Sequence, residues 1–182
     1  KGEVVKKYFS KISEGWNINF IDTGQKTMTG GRVKRLQKFI GNETCMLTYG
    51  DGLADIDINA LENFHQDHGK MVTVTAVHPV ARFGELEMDG ECVKSFQEKP
   101  QVTQGWINGG FFVLNKKVFD YLPENSNDIM WEQEPMKNLA KNRELVAYHH
   151  EGFWQPMDTL REKHVLEKMA QDNKAPWVTW ND

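Results

Sequence analysis

A chain of 182 residues with 39 % hydrophobic and 26 % charged residues is long enough to bury a core of its own as one ordinary folded domain. Its net charge of −4 argues against a general nucleic-acid binder, which carries a basic stripe, and its apolar runs are too short to span a bilayer. Two cysteines, Cys45 and Cys92, make no disulfide framework, and no Cys-x-x-Cys or His-rich spacing suggests zinc; buried free thiols in a reducing cytoplasm are the expectation.

In chain order, residues 1–9 read as the middle of a helical segment, and residues 16–21 alternate large apolar and polar side chains as a strand does. Residues 23–31, rich in Gly and Thr, read as a loop. Residues 32–40 place Val33, Leu36 and Ile40 at helical spacing, with Gly41 as a stop. A buried-strand run over 44–49 closes on Gly50-Asp51-Gly52. Asp57 is placed to cap a helix with Leu61, Phe64, His65 and His68 near one face, ended by Gly69. Residues 71–77 form the clearest strand. Residues 83–88 and 91–96 flank Asp89-Gly90, a strong two-residue hairpin signal. A strand over 106–114 follows, then helices near 116–121 and 131–141, a strand over 145–149, a helix over 159–171 and a Trp-rich tail over 176–180. Strand–helix alternation implies an α/β domain, with a largely parallel sheet and helices on both faces, to which the hairpin adds an antiparallel part.

Four places carry candidate chemistry. Asp51 stands at the end of a buried strand between glycines that permit close backbone approach, where ligands of open α/β sheets bind; a carboxylate there suits Mg²⁺ and a triphosphate, and equally suits a plain turn. In Glu98-Lys99-Pro100, Lys99 can hold a phosphate as a point charge while Glu98 accepts from hydroxyls, or the two can form a surface ion pair. The glycines of Asn108-Gly109-Gly110 weaken a strand unless a ligand or another backbone comes close, or a bulge interrupts the ladder. Asp158 sits just before a helix, where an N-cap is the plainer role. The six histidines show no triad or metal spacing, and no Walker A, Gly-x-Gly-x-x-Gly or Gly-x-Ser-x-Gly motif occurs.

The order of these pieces carries more than any one of them. Thr-Gly-Gly-Arg32, Tyr-Gly-Asp51-Gly, Arg82-Phe-Gly84, Phe-Gln-Glu98-Lys99-Pro, Ile-Asn108-Gly-Gly-Phe-Phe, Trp-Glu-Gln-Glu-Pro135 and Phe-Trp-Gln-Pro-Met-Asp158-Thr together resemble the glucose-1-phosphate cytidylyltransferases, over almost the whole chain. That resemblance implies a Rossmann-like, mixed, mostly parallel sheet of the nucleotide-diphospho-sugar transferase type. It implies that CTP and glucose 1-phosphate give CDP-glucose and pyrophosphate, in a cytoplasmic homo-oligomer. Asp51 and Asp158 would hold one Mg²⁺, and Lys99 would contact the sugar phosphate. Glu98 and Asn108 would contact sugar hydroxyls, Gly84 would offer backbone to the sugar, Gly31 would approach the base, and Arg32 would contact a phosphate or the base. Other readings are an enzyme of the same fold using UTP or dTTP, and a non-catalytic sugar-phosphate-binding module. Relative to the family, residues 1–182 read as one domain without the N-terminal strand and Gly-rich phosphate loop. A longer excursion is expected between Ser10 and Trp16, so that Ser10 and Lys11 would not be neighbours in the natural chain.

Overall fold

The computed structural model describes residues 2–12, 15–79, 85–97, 105–124 and 127–180. Its centre is a four-stranded sheet in the order β1 (Cys45–Thr48), β6 (Ile107–Leu114), β3 (Val72–Val77), β7 (Leu145–His150). Strands β3 and β7 pair in parallel, while β6 runs antiparallel to both β1 and β3. Three of the four strands therefore share a direction, with β6 inserted against them. Two further pairs complete the β structure: β2 (Gly52–Ala54) with β8 (Trp154–Pro156), and the hairpin β4 (Glu85–Asp89) with β5 (Cys92–Gln97), turned at Gly90 with φ +60°.

Alternation along the strands sends side chains to two cores. On one face Val72, Phe112 and Leu114 pack with Val33 of α2 (Thr29–Ile40), with Val118 and Phe119 of the 3-10 segment Lys116–Tyr121, with Trp131, and with Leu139 of α4 (Glu134–Lys141). On the other, Val113, Phe111 and Tyr148 meet Ile56 and Leu61, the latter from α3 (Ile58–His68). Asp57 caps α3 as expected, accepting the Ala60 N–H at 2.9 Å, and Gly69 closes it in the left-handed conformation. The remaining helices are α1 (Gly2–Phe9), which buries no residue, and α5 (Leu160–Gln171), which buries Leu166.

Several expectations are corrected. Residues 16–21 join no ladder: their alternation gives no buried face, and Trp16, Ile18 and Phe20 are exposed. The loop expected over 23–31 ends early, because α2 begins at Thr29 and takes Gly30 and Gly31 into its first turn. A Cβ on Gly30 would lie 2.8 Å from the Ile129 carbonyl oxygen, which explains a glycine in a helix. The helix expected from residue 131 begins at Glu134, with Pro135 in the first turn where its missing N–H costs nothing. Cys92 is exposed rather than buried, and Cys45 is half-buried. No helix among the described residues is long and apolar enough to cross a membrane.

The paired histidines of α3 are structural. The Lys70 N–H donates to His68 Nδ1 (2.9 Å), so His68 carries its proton on Nε2 and gives it to Thr73 Oγ1 (2.7 Å). The Thr73 hydroxyl is then free to donate to His65 Nδ1 (2.8 Å). Burial first, and the neighbouring His68 second, lower the pKa of His65; burial lowers that of His68. Folding thus favours the neutral rings. Their contribution to stability is complete above the unfolded histidine pKa of about 6.5 and is lost as pH falls through the lower folded values. Thermal melts should show a falling Tm between pH 7.5 and 5.5, and His65→Gln should flatten that slope; a slope the substitution leaves intact would place the titrating groups elsewhere.

Candidate functional site

The site grows from the carboxyl end of β1. Beyond Thr48 the chain runs through Tyr49, Gly50 and Asp51 into β2, whose antiparallel partner β8 pairs Gly52 with Pro156 and Ala54 with Trp154. The ladder continues one step, the Met157 N–H donating to the Asp51 carbonyl at 2.7 Å. Asp51 and Asp158, 107 positions apart in the chain (158 − 51), therefore stand at the same end of one two-stranded ladder. Both are exposed, and among the described residues neither carboxylate has a hydrogen bond or ion pair. Asp158 is not the helix cap. Thr159 caps α5 in a capping box, its Oγ1 accepting the Glu162 N–H at 3.2 Å while the Glu162 carboxylate accepts from the Asp158 and Thr159 N–H groups at 2.9 and 2.8 Å. Thr159 leaves the Asp158 side chain with no capping role.

Beside this pair lies a directed chain of hydrogen bonds. The Tyr49 hydroxyl donates to Glu132 Oε1 at 2.6 Å and accepts from Asn108 Nδ2 at 3.2 Å. The second Glu132 oxygen accepts from Thr29 Oγ1 at 2.8 Å, and Thr29 Oγ1 in turn accepts the Trp131 N–H at 2.9 Å. Asn108 Oδ1 receives the Gly110 N–H at 2.9 Å. Burial, then the Glu132 carboxylate, hold the Tyr49 phenol well above the usual phenol range, so it remains a donor. Below the network, Phe112 meets the Tyr49 ring edge-on at 5.7 Å and Trp131 meets Phe112 at 5.9 Å.

The two glycines of β6 are explained by protein neighbours. The β3–β6 register shifts between Val74 and Ala76, so the bulge reading of Asn-Gly-Gly holds. Close approach is also real: a Cβ on Gly109 would lie 2.8 Å from Val77, and one on Gly110, at φ +79°, would lie 2.6 Å from the Tyr49 ring. The Gly109 carbonyl also accepts from Trp154 Nε1 at 2.8 Å, tying β6 to β8.

Comparison with known proteins decides the family. A family described as nucleotidyl transferase matches residues 1–182. The glucose-1-phosphate cytidylyltransferase of Salmonella typhi is 45% identical over 203 positions, covering 99% of this chain and 78% of that protein. The chain belongs to the nucleotidyl transferase family, in its glucose-1-phosphate cytidylyltransferase group. A D-glycero-alpha-D-manno-heptose 1-phosphate guanylyltransferase of Campylobacter jejuni is more distant, at 34% over 122 positions and 66% of this chain. Among solved structures, HddC from Yersinia pseudotuberculosis complexed with GMP-PN superposes with a TM-score of 0.65 at 21% identity, covering 91% of this chain and 72% of that one. A UDP-glucose pyrophosphorylase complexed with UDP-glucose gives 0.64 at 17% identity, covering 94% and 72%. At those identities the structures establish the shared fold, a mixed α/β nucleotidyltransferase sheet.

The Salmonella typhi alignment runs over 203 positions against 182 residues here, so that nucleotidyl transferase relative has at least 21 positions without a counterpart in this chain (203 − 182). The other expected site residues are placed as follows. Gly31 is buried in the first turn of α2, its N–H directed at the Ile129 carbonyl at 3.3 Å. Arg32 clasps the preceding loop, donating to Thr23 Oγ1 at 2.7 Å and to the Gln25 carbonyl at 3.4 Å. Gly84, Glu98 and Lys99, with Arg82 and Pro100, lie outside the described residues. Tyr49, Glu132 and Trp154 were not singled out from the sequence. Each lies inside a motif of the nucleotidyl transferase series, but no spacing rule tells that residues 49 and 132 meet.

Proposed function

We propose that this chain transfers the cytidylyl group of CTP to glucose 1-phosphate, forming CDP-glucose and releasing pyrophosphate. A phosphate oxygen of the sugar phosphate attacks the α-phosphorus of CTP. The new P–O bond forms as the bond to the β-phosphate oxygen breaks in line, and the leaving pyrophosphate carries away the electron pair. The attacking oxygen is already ionised, so the protein's work is to align two anions and offset their charge rather than to remove a proton.

The single observation that supports the reading is that Asp51 and Asp158 stand at the same end of one ladder, Asp51 two residues beyond the Tyr49 that Asn108 touches, in a chain 45% identical to the Salmonella protein. Two unpartnered carboxylates from separate segments are hard oxygen donors and fit a divalent cation, Mg²⁺ in this reading. When bound, such an ion offsets charge on the nucleotide phosphates. Lys99 takes the phosphate of the sugar, Glu98 and Asn108 its hydroxyls, and Gly84 its backbone contact. Gly31 lies toward the base with Arg32 behind it, where Arg32 holds the 23–25 loop in place. A homo-oligomer is part of the same proposal.

The test is a nucleotide panel. With glucose 1-phosphate as acceptor, kcat/KM from pyrophosphate release should be at least about tenfold higher with CTP than with UTP or dTTP, a difference of about 1.4 kcal/mol in transition-state binding. A preference for UTP or dTTP would keep the fold and replace the base assignment.

A further inference from the structure

Glu132 lies outside the substrate contacts assigned above, yet both of its oxygens are used within the site. One accepts from Thr29 at the start of α2, the helix whose first turn carries Gly31. The other accepts from Tyr49, two residues before Asp51, which in turn receives the Asn108 amide. Thr29 and Glu132 are 103 positions apart, and Tyr49 and Asn108 are 59 apart, so these bonds join four separate segments.

The direction of each bond follows from its donor. A hydroxyl has one proton, and Tyr49 spends it on Glu132, so Tyr49 can only accept from Asn108. A backbone N–H, that of Gly110, takes Asn108 Oδ1. The Asn108 amide is thus gripped at both ends, nitrogen toward Tyr49 and oxygen toward Gly110, although the residue is exposed. One Nδ2 hydrogen and one Oδ1 lone pair remain for a ligand. A sugar hydroxyl, itself donor and acceptor, requires that complement.

We propose that Tyr49 and Glu132 are positioning residues for glucose 1-phosphate: they fix the orientation of the Asn108 amide and tie it to the first turn of α2. The inference rests on the cytidylyltransferase reading above for the identity of the ligand, but not for the order of the amide. Tyr49→Phe keeps the ring against Phe112 and removes only the hydroxyl, leaving Asn108 held by Gly110 alone. Glu132→Gln keeps an oxygen for the Tyr49 hydroxyl and places an N–H where Thr29 Oγ1 can accept it. Glu132→Leu removes both acceptors.

Two measurements on the same four proteins test this. Without substrate, ¹⁵N relaxation of the Asn108 side-chain amide should show a rigid group in wild type and Glu132→Gln, and a mobile one in Tyr49→Phe and Glu132→Leu. In steady-state assays with CTP and glucose 1-phosphate, Tyr49→Phe should raise KM for the sugar phosphate about fivefold, the size of one neutral hydrogen bond. KM for CTP should stay within about twofold, and Glu132→Gln should track wild type in both. A rigid Asn108 amide in Tyr49→Phe overturns the proposal whatever the kinetics, as does an equal rise in both KM values. Should Glu132→Leu fail to fold, the pair Tyr49→Phe and Glu132→Gln still decides. Wild type that leaves glucose 1-phosphate unconverted while its Asn108 amide is ordered as described removes the functional reading and leaves the hydrogen-bonded grip standing.

Discussion

Asp51→Asn and Asp158→Asn are each expected to lower kcat for CDP-glucose formation by about 10²–10³-fold, the range seen when one preorganised charge-stabilising group is lost from an active site. The two carboxylates come from segments 107 positions apart (158 − 51) and reach the same ladder end through the pairing of β2 with β8. Each is exposed and unpartnered among the described residues, so neither substitution removes a contact that stabilises the fold. The bond that closes the ladder uses the Asp51 carbonyl and survives replacement of the side chain. The capping box of α5 uses Thr159 and Glu162 and survives as well. Melting temperatures should therefore match wild type within a degree or two while activity collapses, and a Mg²⁺ titration should show each variant needing more metal. The double variant should be little worse than either single one, because groups that act as a unit do not lose their effects additively. An Asp158→Asn protein with wild-type kcat and wild-type Mg²⁺ dependence would remove that residue from the cation site.

Much of this arrangement was legible in the chain, for reasons that differ by element. Strand β3 is rich in β-branched residues and largely buried on both faces, and β6 is largely buried from Gly109 to Leu114 and ends in an aromatic and aliphatic run, so composition marks them. Helix α3 announces both of its ends, with Asp57 accepting at the start and Gly69 in the left-handed conformation at the close. The short strands β2 and β8 were not legible: three residues each carry no period, and their pairing is decided by the segments they connect. Residues 16–21 show the opposite failure, a strand-like alternation with no neighbouring edge to complete it. At the site, Asp51, Asp158 and Asn108 could be named because they sit in short ordered motifs. Asp158 was misread in isolation as a cap, since a carboxylate before a helix and a threonine one step later compete for the same N–H groups and local sequence does not say which wins. Tyr49 and Glu132 were invisible because their link is purely tertiary.

Gly110→Ala is expected to be the most damaging single-methyl change in the sheet. Gly110 holds φ +79°, where an L side chain costs about 1–2 kcal/mol. The added Cβ would lie 2.6 Å from Tyr49 Cδ2 and 3.2 Å from Cγ, so either the ring or the β6 backbone must move. The ring has little room to yield: its hydroxyl is held by Glu132 and Asn108 and its edge by Phe112. Overpacking of this kind costs about 1–3 kcal/mol, which with the backbone term gives a loss of about 2–5 kcal/mol. Gly50→Ala is the matched control, since a Cβ there meets nothing within 4 Å and no positive φ is involved; its change should stay within about 0.5 kcal/mol. Urea unfolding of the two variants measures the difference directly. If Gly110→Ala instead unfolds within 1 kcal/mol of wild type, the Tyr49 ring is free to swing aside. The hydrogen bonds from its hydroxyl to Glu132 and from Asn108 would then be too weak to orient the amide. If the loss is large, the same ring that forbids a side chain at residue 110 is rigid enough to serve as the fixed acceptor for the amide beside it.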